Sequence, residues 1–443
     1  MMNNQFSAYL VSLGCPKNQV DGEILMSKLC NSGFSVAQSE ADADAIIVNT
    51  CGFIESAKAE AIEAILEAAE YKKAGLASAV IVTGCLAERY KDEIMNEMPE
   101  VDAVVGIGAN SDIVKICQKA LCGVTTNIFP NKCFLPLDDN RLVKKGSHWA
   151  YLKISDGCDN KCSYCAIPGI RGEYRERTLE SITEEAESLA QKGIKEIILV
   201  AQDTTKYGIS LYGKYMLPEL LRRISDINGI EWIRIFYCYP DKVTDELIDA
   251  IASLDKVCSY IDIPLQHCNK DVLKAMNRSG SYDELKSLIE KMRSKIPGLS
   301  LRTTLMVGFP GETEEQFEEL CRFVKEMKFD KMGCFKFSPE EDTPAYDMDN
   351  QIEEDVKARR EEVLGDIQYT VTENANKSRI GKIYKTVVDD IDGEYYIGRS
   401  YLDSPEIDSG IIFSSPDKLN IGDFADVRIT DYDGYDLIGE TIK

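Results

Sequence analysis

Short apolar segments that alternate with amphipathic helical patterns restrict the fold of this chain more than any other feature. In its first part the segments lie at residues 8–13, 45–48, 79–82 and 103–105. Between two of them, Ile62, Ile65 and Ala69 recur at the spacing of one helix face. Nearly continuous apolar strands separated by helices are typical of a parallel sheet that is covered on both faces. Residues 1–125 are therefore predicted to form an α/β domain of the doubly wound, flavodoxin-like type.

The same alternation returns in longer units after residue 149. The predicted strands are residues 151–154, 196–200, 232–237, 259–263, 300–307 and 331–337. Thr313 and Gln316 form a candidate capping box at the start of one of the intervening helices. Six such units are fewer than the eight of a closed TIM barrel. Residues 149–376, which end in a charged helix, are predicted to form a partial, TIM-like (βα)6 barrel, with the irregular residues 126–148 as a linker.

The last part of the chain changes to a strand pattern without helices. Its predicted strands are residues 382–388, 395–399, 410–413 and 424–429. Asp392-Gly393 and Asp433-Gly434 supply the turn residues that tight hairpins require. Residues 377–443 are predicted to form a small all-β barrel.

Three cysteines crowd into eight residues directly after the first strand of the predicted partial barrel. They are spaced C-x-x-x-C-x-x-C, at Cys158, Cys162 and Cys165. Three thiolates can bind three corners of a cubane iron–sulfur cluster and leave the fourth iron without a protein ligand. Zinc sites usually close with four ligands. The only histidines are His148 and His267, which excludes a histidine-rich zinc hydrolase.

A second set of cysteines is dispersed through the first domain. Cys15, Cys51 and Cys85 each follow a predicted strand by one to three residues. The carboxyl ends of parallel strands share one edge of a sheet, which is where such folds bind ligands. The three thiols are therefore predicted to meet there and to hold another cluster with one open iron, although buried packing cysteines would give the same pattern.

The cysteine loop at 158–165 resembles that of the radical S-adenosylmethionine (SAM) superfamily, whose core is a six-unit partial barrel. This resemblance implies that the open iron chelates the amino and carboxylate groups of SAM. One-electron reduction then cleaves SAM to methionine and a 5′-deoxyadenosyl radical. The implied SAM cavity is lined by side chains at the carboxyl ends of the strands: Tyr164, Gln202, Asp203, Gln266, Gly308 and Glu312. The sequence assigns no catalytic residue beyond the cluster ligands.

The order of three cysteines, a radical SAM barrel and a small TRAM-like β-barrel resembles the methylthiotransferase family over essentially the whole chain. The ribosomal-protein aspartate methylthiotransferase branch is favoured over the tRNA branch by three motifs: Gly14-Cys15-Pro16-Lys17-Asn18, Gly157-Cys158-Asp159-Asn160 and Tyr396-Ile397-Gly398-Arg399-Ser400. The resemblance implies two [4Fe-4S] clusters and SAM as cofactors. The reaction it implies adds a methylthio group to the β-carbon of an aspartate in the decoding-centre protein of the small ribosomal subunit. The first-domain cluster would supply or hold the sulfur, which a second SAM methylates.

Charge gives an independent indication of the partner. The whole chain carries a formal charge of −24, and residues 378–443 hold seven Lys and Arg against fourteen Asp and Glu, a net charge of −7. A surface that binds tRNA needs clustered cations, so tRNA is disfavoured and a basic ribosomal protein is favoured. The chemistry further requires a one-electron reductant and a sulfur donor.

Two alternative functions stay open at this stage. The first is tRNA adenosine methylthiolation, which the predicted fold would also support. The second is a non-catalytic iron–sulfur scaffold or electron carrier, which needs neither SAM nor a substrate cavity. A cobalamin-dependent radical enzyme is disfavoured because residues 1–125 contain no histidine to bind cobalt.

The compartment is predicted from what the sequence does not contain. It shows no secretory signal and no apolar run long enough to cross a bilayer. A cytoplasmic protein with reduced cysteines and no membrane contact is expected.

Overall fold

The first domain of the computed structural model, which describes residues 6–132 and 135–442, is a parallel sheet with helices on both faces. Its strands and helices follow one another along the chain as β1 Ser7–Ser12, α1 Pro16–Asn31, β2 Ser35–Val36, β3 Ala45–Thr50, α2 Glu55–Lys73, β4 Ala79–Gly84, α3 Cys85–Arg89, α4 Lys91–Glu97, β5 Ala103–Val105, α5 Ile113–Leu121 and β6 Thr126–Ile128. The strand order is β2-β1-β3-β4-β5-β6, and all the pairs are parallel. The predicted flavodoxin-like sheet is therefore confirmed.

The first residues of the predicted linker, 126–148, belong to the first domain. Residues 126–128 pair with β5 as the edge strand of the first sheet. Three residues with the sequence Thr-Asn-Ile are too short and too polar to show a strand pattern, so only the pairing with β5 identifies them. The remaining described residues of 126–148 contain no further strand and no α-helix.

The central domain is an open parallel sheet. Its elements are β7 Trp149–Lys153, β8 Ser155–Asp156, α6 Ile167–Arg171, β9 Arg175–Glu176, α7 Leu179–Gln191, β10 Glu196–Val200, α8 Ile209–Tyr212, α9 Leu217–Ser225, β11 Trp232–Ile235, α10 Asp245–Ser253, β12 Val257–Asp262, α11 Lys270–Ala275, α12 Tyr282–Lys295, β13 Ser300–Val307, α13 Glu314–Met327, β14 Lys331–Lys336 and α14 Glu354–Arg379. The sheet order β14-β13-β12-β11-β10-β7 gives the predicted partial barrel. Its core lies between the sheet and the helices, and the capping box of Thr313 and Gln316 opens α13 as predicted.

The C-terminal domain is a closed barrel of short strands. These are β15 Ile383–Asp392, β16 Tyr395–Arg399, β17 Ile411–Ser414, β18 Phe424–Asp433 and β19 Asp436–Thr441, joined in the order β15-β16-β17-β19-β18. The predicted all-β barrel is confirmed. The structure adds β19, and α14 continues to Arg379, three residues past the predicted domain boundary.

Buried ions and aromatic rings fix this barrel to the central domain. Arg399 binds Glu196 of β10 at 2.7 Å and Asp389 of β15 at 2.7 Å. Trp232 of β11 packs edge-on against Phe424 of β18, with ring centroids 4.9 Å apart. These contacts between the two domains fix the position of the C-terminal barrel on the central domain.

No helix within residues 6–132 and 135–442 is both long and apolar enough to cross a membrane.

We predict that Arg399→Met lowers the free energy of unfolding by about 3 kcal/mol, because it leaves the buried carboxylate of Glu196 and the half-buried one of Asp389 without their shared cation. Urea unfolding followed by tryptophan fluorescence measures this, since Trp232 lies in the affected contact. Arg428→Met, an exposed position on β18, is the matched control. Equal midpoints for the two variants would contradict a stabilising role for Arg399.

Candidate cluster sites

The three dispersed cysteines lie at one edge of the first sheet. Cys15 is the residue that precedes α1, Cys51 follows β3, and Cys85 begins α3 directly after β4. Gly14 has a φ of +88°, and a Cβ there would lie 2.6 Å from Cβ of Cys51. Gly84 has a φ of +96°, and its Cβ would lie 2.4 Å from a backbone oxygen of β3. Only glycine permits this backbone conformation and this close approach of the strand ends.

The surroundings of these thiols act differently on their ionisation. Burial raises the pKa of Cys85 to about 12; Arg171 opposes this shift, and the neighbouring thiols of Cys15 and Cys51 add to it. Burial also acts to raise the pKa of Cys15, but the cations of Lys17 and Arg171 outweigh it and lower that pKa. A proton is therefore lost less readily from Cys85 than from Cys15.

The second triad lies on a loop after β8 that begins at Gly157. This glycine has a φ of +78°, and a Cβ would lie 2.0 Å from the carbonyl oxygen of Glu173, so no other residue fits. Burial raises the pKa of Cys165 to about 12, with the thiols of Cys162 and Cys158 adding to the effect. The three sulfurs thus lie close enough to influence one another.

Side chains at the ends of neighbouring strands hold this loop in place. Asn160 donates to Asp203 at 2.8 Å, and Lys242 bridges both residues. Gln202 donates to Asp156 at 3.0 Å, while its own Oε1 is buried and has no partner among the described residues. Gln202 and Asp203, predicted to line the SAM cavity, thus hold the cysteine loop or the residue before it.

A cavity of about 700 Å³ lies between the first two domains, within the size range of small-molecule sites. Tyr164, Gln266, Thr304 and Met306 line it from the central domain, and residues 53–56 line it from the loop after Cys51. Residues 335–340 and two glutamates of α14 complete the wall. Tyr164 and Gln266, two of the residues predicted to contact SAM, therefore line one cavity.

Gly308 and Glu312 lie elsewhere. The Glu312 carboxylate accepts hydrogen bonds from the backbone N–H of Gly308 and from Arg360, and lies 3.3 Å from Nε2 of His267. It is fully buried and does not line the cavity described above. A Cβ on Gly308 would lie 2.3 Å from the Lys357 side chain, so this residue permits a close contact with α14.

Several side chains near the cysteines gave no signal in the sequence. The hydroxyl of Tyr239 lies 3.3 Å from the Cys162 sulfur, and the Arg278 guanidinium lies 3.9 Å from it and stacks on that tyrosine ring. Arg171 of α6 lies 3.7 Å from the Cys85 sulfur. Each of these contacts joins segments that are far apart in the chain, so no local spacing reveals them.

The two triads face each other across the domain boundary. Cys85 packs in one apolar cluster against Ala166, the residue after Cys165, and against Ile170 of α6. Lys17, two residues after Cys15, donates to the carbonyl oxygen of Ala201 at 3.3 Å, at the end of β10. The carboxyl edges of the two sheets therefore meet.

Each triad supplies three cysteine thiols, the side chains that bind iron–sulfur clusters. Among the described residues, no three His, Cys, Asp or Glu side chains converge on one point as the ligands of one ion do. In a cubane each thiolate binds a different iron, so its three cysteines surround a larger object. Each triad also has an arginine beside one sulfur, the buried Arg171 at Cys85 and the half-buried Arg278 at Cys162, and its positive charge favours the thiolate form.

Family models match three parts of the chain. These are the Radical SAM superfamily over residues 152–324, the Uncharacterized protein family UPF0004 over residues 7–106, and the TRAM domain over residues 380–442. The three matches coincide with the central sheet, the first sheet and the closed barrel.

Similar curated proteins carry the name ribosomal protein uS12 methylthiotransferase RimO. The one from Desulforamulus reducens is 48% identical over 97% of this chain and 98% of its own length. Those from Acetivibrio thermocellus and Clostridioides difficile are each 47% identical, covering 98% of this chain and 98% of their own lengths.

Solved structures share the fold at low identity. The radical SAM methyltransferase TsrM from Kitasatospora setae, with tryptophan and a SAM analogue bound, gives a TM-score of 0.56 at 14% identity, covering 88% of this chain and 79% of its own. The cobalamin-dependent SAM radical enzyme OxsB gives 0.51 at 13% identity, over 83% and 58% of the two chains. The likeness concerns the fold alone.

We predict that anaerobic reconstitution gives about eight irons and eight sulfides per chain, one cubane for each triad. Replacing Cys158, Cys162 and Cys165 by Ala should leave about half, and so should replacing Cys15, Cys51 and Cys85. Iron and sulfide analysis measures this. The matched control replaces Cys238, Cys258 and Cys268, buried cysteines outside both triads, and should keep the full content. A triad variant that retains all its iron would contradict the assignment of that triad.

Proposed function

The chain belongs to the family of ribosomal protein uS12 methylthiotransferases, and on this premise we propose that it adds a methylthio group to the β-carbon of an aspartate in that ribosomal protein. One observation carries the proposal: two cysteine triads on different domains face each other beside a single cavity. A reaction that breaks a C–H bond and then forms a C–S bond at the same carbon needs a radical source and a sulfur source beside that carbon.

Each triad contributes a different part of this reaction. When loaded, the cluster of Cys158, Cys162 and Cys165 together with SAM supplies a 5′-deoxyadenosyl radical, and the cluster of Cys15, Cys51 and Cys85 supplies or holds the sulfur. The attacked carbon is unactivated, so acid–base catalysis by side chains does not readily remove its hydrogen. The role of the protein is therefore to position the carbon and to exclude water.

The walls of the cavity support this positioning role. Tyr164 lies between two ligands of the radical-forming triad, and Phe53 lies two residues after Cys51. Both side chains line the same space, whose surface is mainly apolar. An aspartate side chain that enters it would be close to the loops of both triads and shielded from bulk water.

Ion pairs balance the charge at the cavity. Four glutamates line it, against one lysine: Glu55, Glu340, Glu354 and Glu361, with Lys336. Lys58 binds both Glu55 and Glu340, Arg89 binds Glu340, and Lys336 and Lys357 contact Glu354. These four cations offset the four carboxylates, so the proposed preference for a basic protein over RNA rests on the C-terminal barrel and not on the cavity.

Some acidic side chains of the C-terminal barrel are ion-paired within the protein, and others are exposed. Only the exposed ones are available to bind a partner. Asp389 binds His148 at 2.7 Å as well as Arg399, and these two partners, which offset its burial, lower its pKa. It is therefore a structural residue. Asp390, Asp392 and Glu394 are exposed at the β15–β16 hairpin, and we propose that they attract the basic substrate protein.

A one-electron reductant and a sulfur donor complete the proposed partners, because the reaction consumes both an electron and sulfur.

We predict that the reconstituted enzyme, given SAM, dithionite and sulfide as the sulfur donor, forms 5′-deoxyadenosine and adds a methylthio group to the recombinant uS12 protein. Mass spectrometry measures the added group, and chromatography measures 5′-deoxyadenosine. Unmodified tRNA is assayed in parallel. The variant lacking Cys158, Cys162 and Cys165 should form neither product.

Two outcomes would contradict the proposal. A methylthio group on tRNA adenosine with none on the protein would show that the substrate is RNA. Iron-loaded protein that never forms 5′-deoxyadenosine would favour a scaffold or electron carrier.

We predict that Asp390→Lys, Asp392→Lys and Glu394→Lys together slow modification of the ribosomal protein at low salt, and that the loss shrinks as salt screens the charges. The kcat/KM for the protein measures this, with uncoupled 5′-deoxyadenosine formation unchanged. The control makes the same charge change on the exposed face of α2, at Glu63, Glu67 and Glu70. Equal losses in both variants would show that overall charge, and not the hairpin, is responsible.

A further inference from the structure

Arg171 is the most deeply buried cation at the boundary between the first two domains. It ends α6, the short helix that follows the radical-forming triad, and its side chain is 1% exposed. Its guanidinium nevertheless points out of its own domain. It reaches Asp21 of α1 at 2.6 Å and the sulfur of Cys85 at 3.7 Å.

The ions around this guanidinium balance within one buried group. Asp21 and Asp156 are the anions, and Lys153 and Arg171 are the cations, with all four side chains at most 4% exposed. Burial opposes ionisation of Asp156, but Lys153 and Arg171 hold its pKa well below the usual range. The two cations and the two carboxylates therefore balance each other without any contribution from the cysteines. A cluster bound to Cys85 would add negative charge beside Arg171.

Arg171 also contacts the residue that braces the other two cysteine loops. Its second nitrogen donates to Oδ1 of Asn18 at 3.2 Å. The amide of that asparagine donates to the carbonyl oxygens of Leu13 and Thr50, at 2.7 and 3.3 Å. These carbonyls lie two residues before Cys15 and one residue before Cys51. A single side chain of the central domain thus touches or braces all three ligand loops of the first domain.

We propose that Arg171 is a positioning residue of the first-domain cluster, supplied by the domain that forms the radical. The inference rests on the proposed cluster at Cys15, Cys51 and Cys85. The guanidinium donates toward the Cys85 sulfur and places a positive charge beside it. Hydrogen bonds to cluster sulfurs and nearby charge set the reduction potential of such clusters, and a cation stabilises the more negative, reduced state.

The test uses full-length protein in which Cys158, Cys162 and Cys165 are Ala, so that only the first-domain cluster is present. Arg171→Met removes the charge and the donor, and Arg171→Lys keeps the charge with a different geometry. We expect Arg171→Met to shift the midpoint potential to more negative values, and Arg171→Lys to shift it less. A redox titration followed by electron paramagnetic resonance measures the potential, and iron analysis gives the cluster content.

Arg234→Met is the matched control, because Arg234 is equally buried and paired with Glu196 but contacts no cysteine of either triad. It should leave the potential unchanged. An unshifted potential in Arg171→Met at full cluster content would overturn the inference. If Arg171→Met assembles no cluster, the midpoint potential of Arg171→Lys tests the inference instead. Loss of the cluster in both Arg171 variants, but not in the control, would show that Arg171 has a purely structural role and would overturn the inference. If the protein with Cys158, Cys162 and Cys165 replaced by Ala, and with Arg171 intact, binds no iron, the proposed first-domain cluster is refuted, and the inference with it.

Discussion

The buried ion group of Asp21, Lys153, Asp156 and Arg171 is the interaction on which the rest of this architecture depends. Each parallel sheet presents the carboxyl ends of its strands along one edge, and each edge carries three cysteines. Nothing within either sheet requires the two edges to face each other. The ion group fixes their mutual orientation, because turning one domain against the other would part Asp21 from Lys153 and Arg171 while all three stay buried, at a cost of several kcal/mol.

Much of the fold follows from the sequence because both sheets are parallel. Buried parallel strands are apolar along their length, so the apolar segments of the sequence give their positions. The same segments locate the strand ends that carry Cys15, Cys51 and Cys85. The family resemblance to uS12 methylthiotransferases is confirmed by relatives that cover nearly the whole chain. Short or polar elements escaped this reasoning. Residues 126–128 form a strand only because β5 offers a free edge.

The limit of sequence reasoning is clearest at the cysteine loops. Spacing indicates the ligands, but it says nothing of what lies beside them, since Arg171, Tyr239 and Arg278 reach the thiols from distant segments. The assignment of Glu312 shows the same limit. It follows a strand end, yet its carboxylate turns inward to Arg360, a residue of a helix formed nearly fifty positions later. The cation that faces a carboxylate is decided by tertiary packing.

The fold alone does not determine the chemistry, as the likeness to cobalamin-dependent enzymes illustrates. The first sheet here supplies thiols at the edge that faces the central domain, and within residues 1–125 the sequence has no histidine to bind cobalt. The difference lies in the residues that end the strands: Gly14 and Gly84 bring the loops of Cys15, Cys51 and Cys85 together at one edge. A backbone that brings three thiols to a shared edge, opposite a second triad, suits the delivery of sulfur to a carbon radical. Specificity then falls to the surfaces around the cavity and to the C-terminal barrel, whose net charge of −7 over residues 378–443 favours a basic protein over RNA.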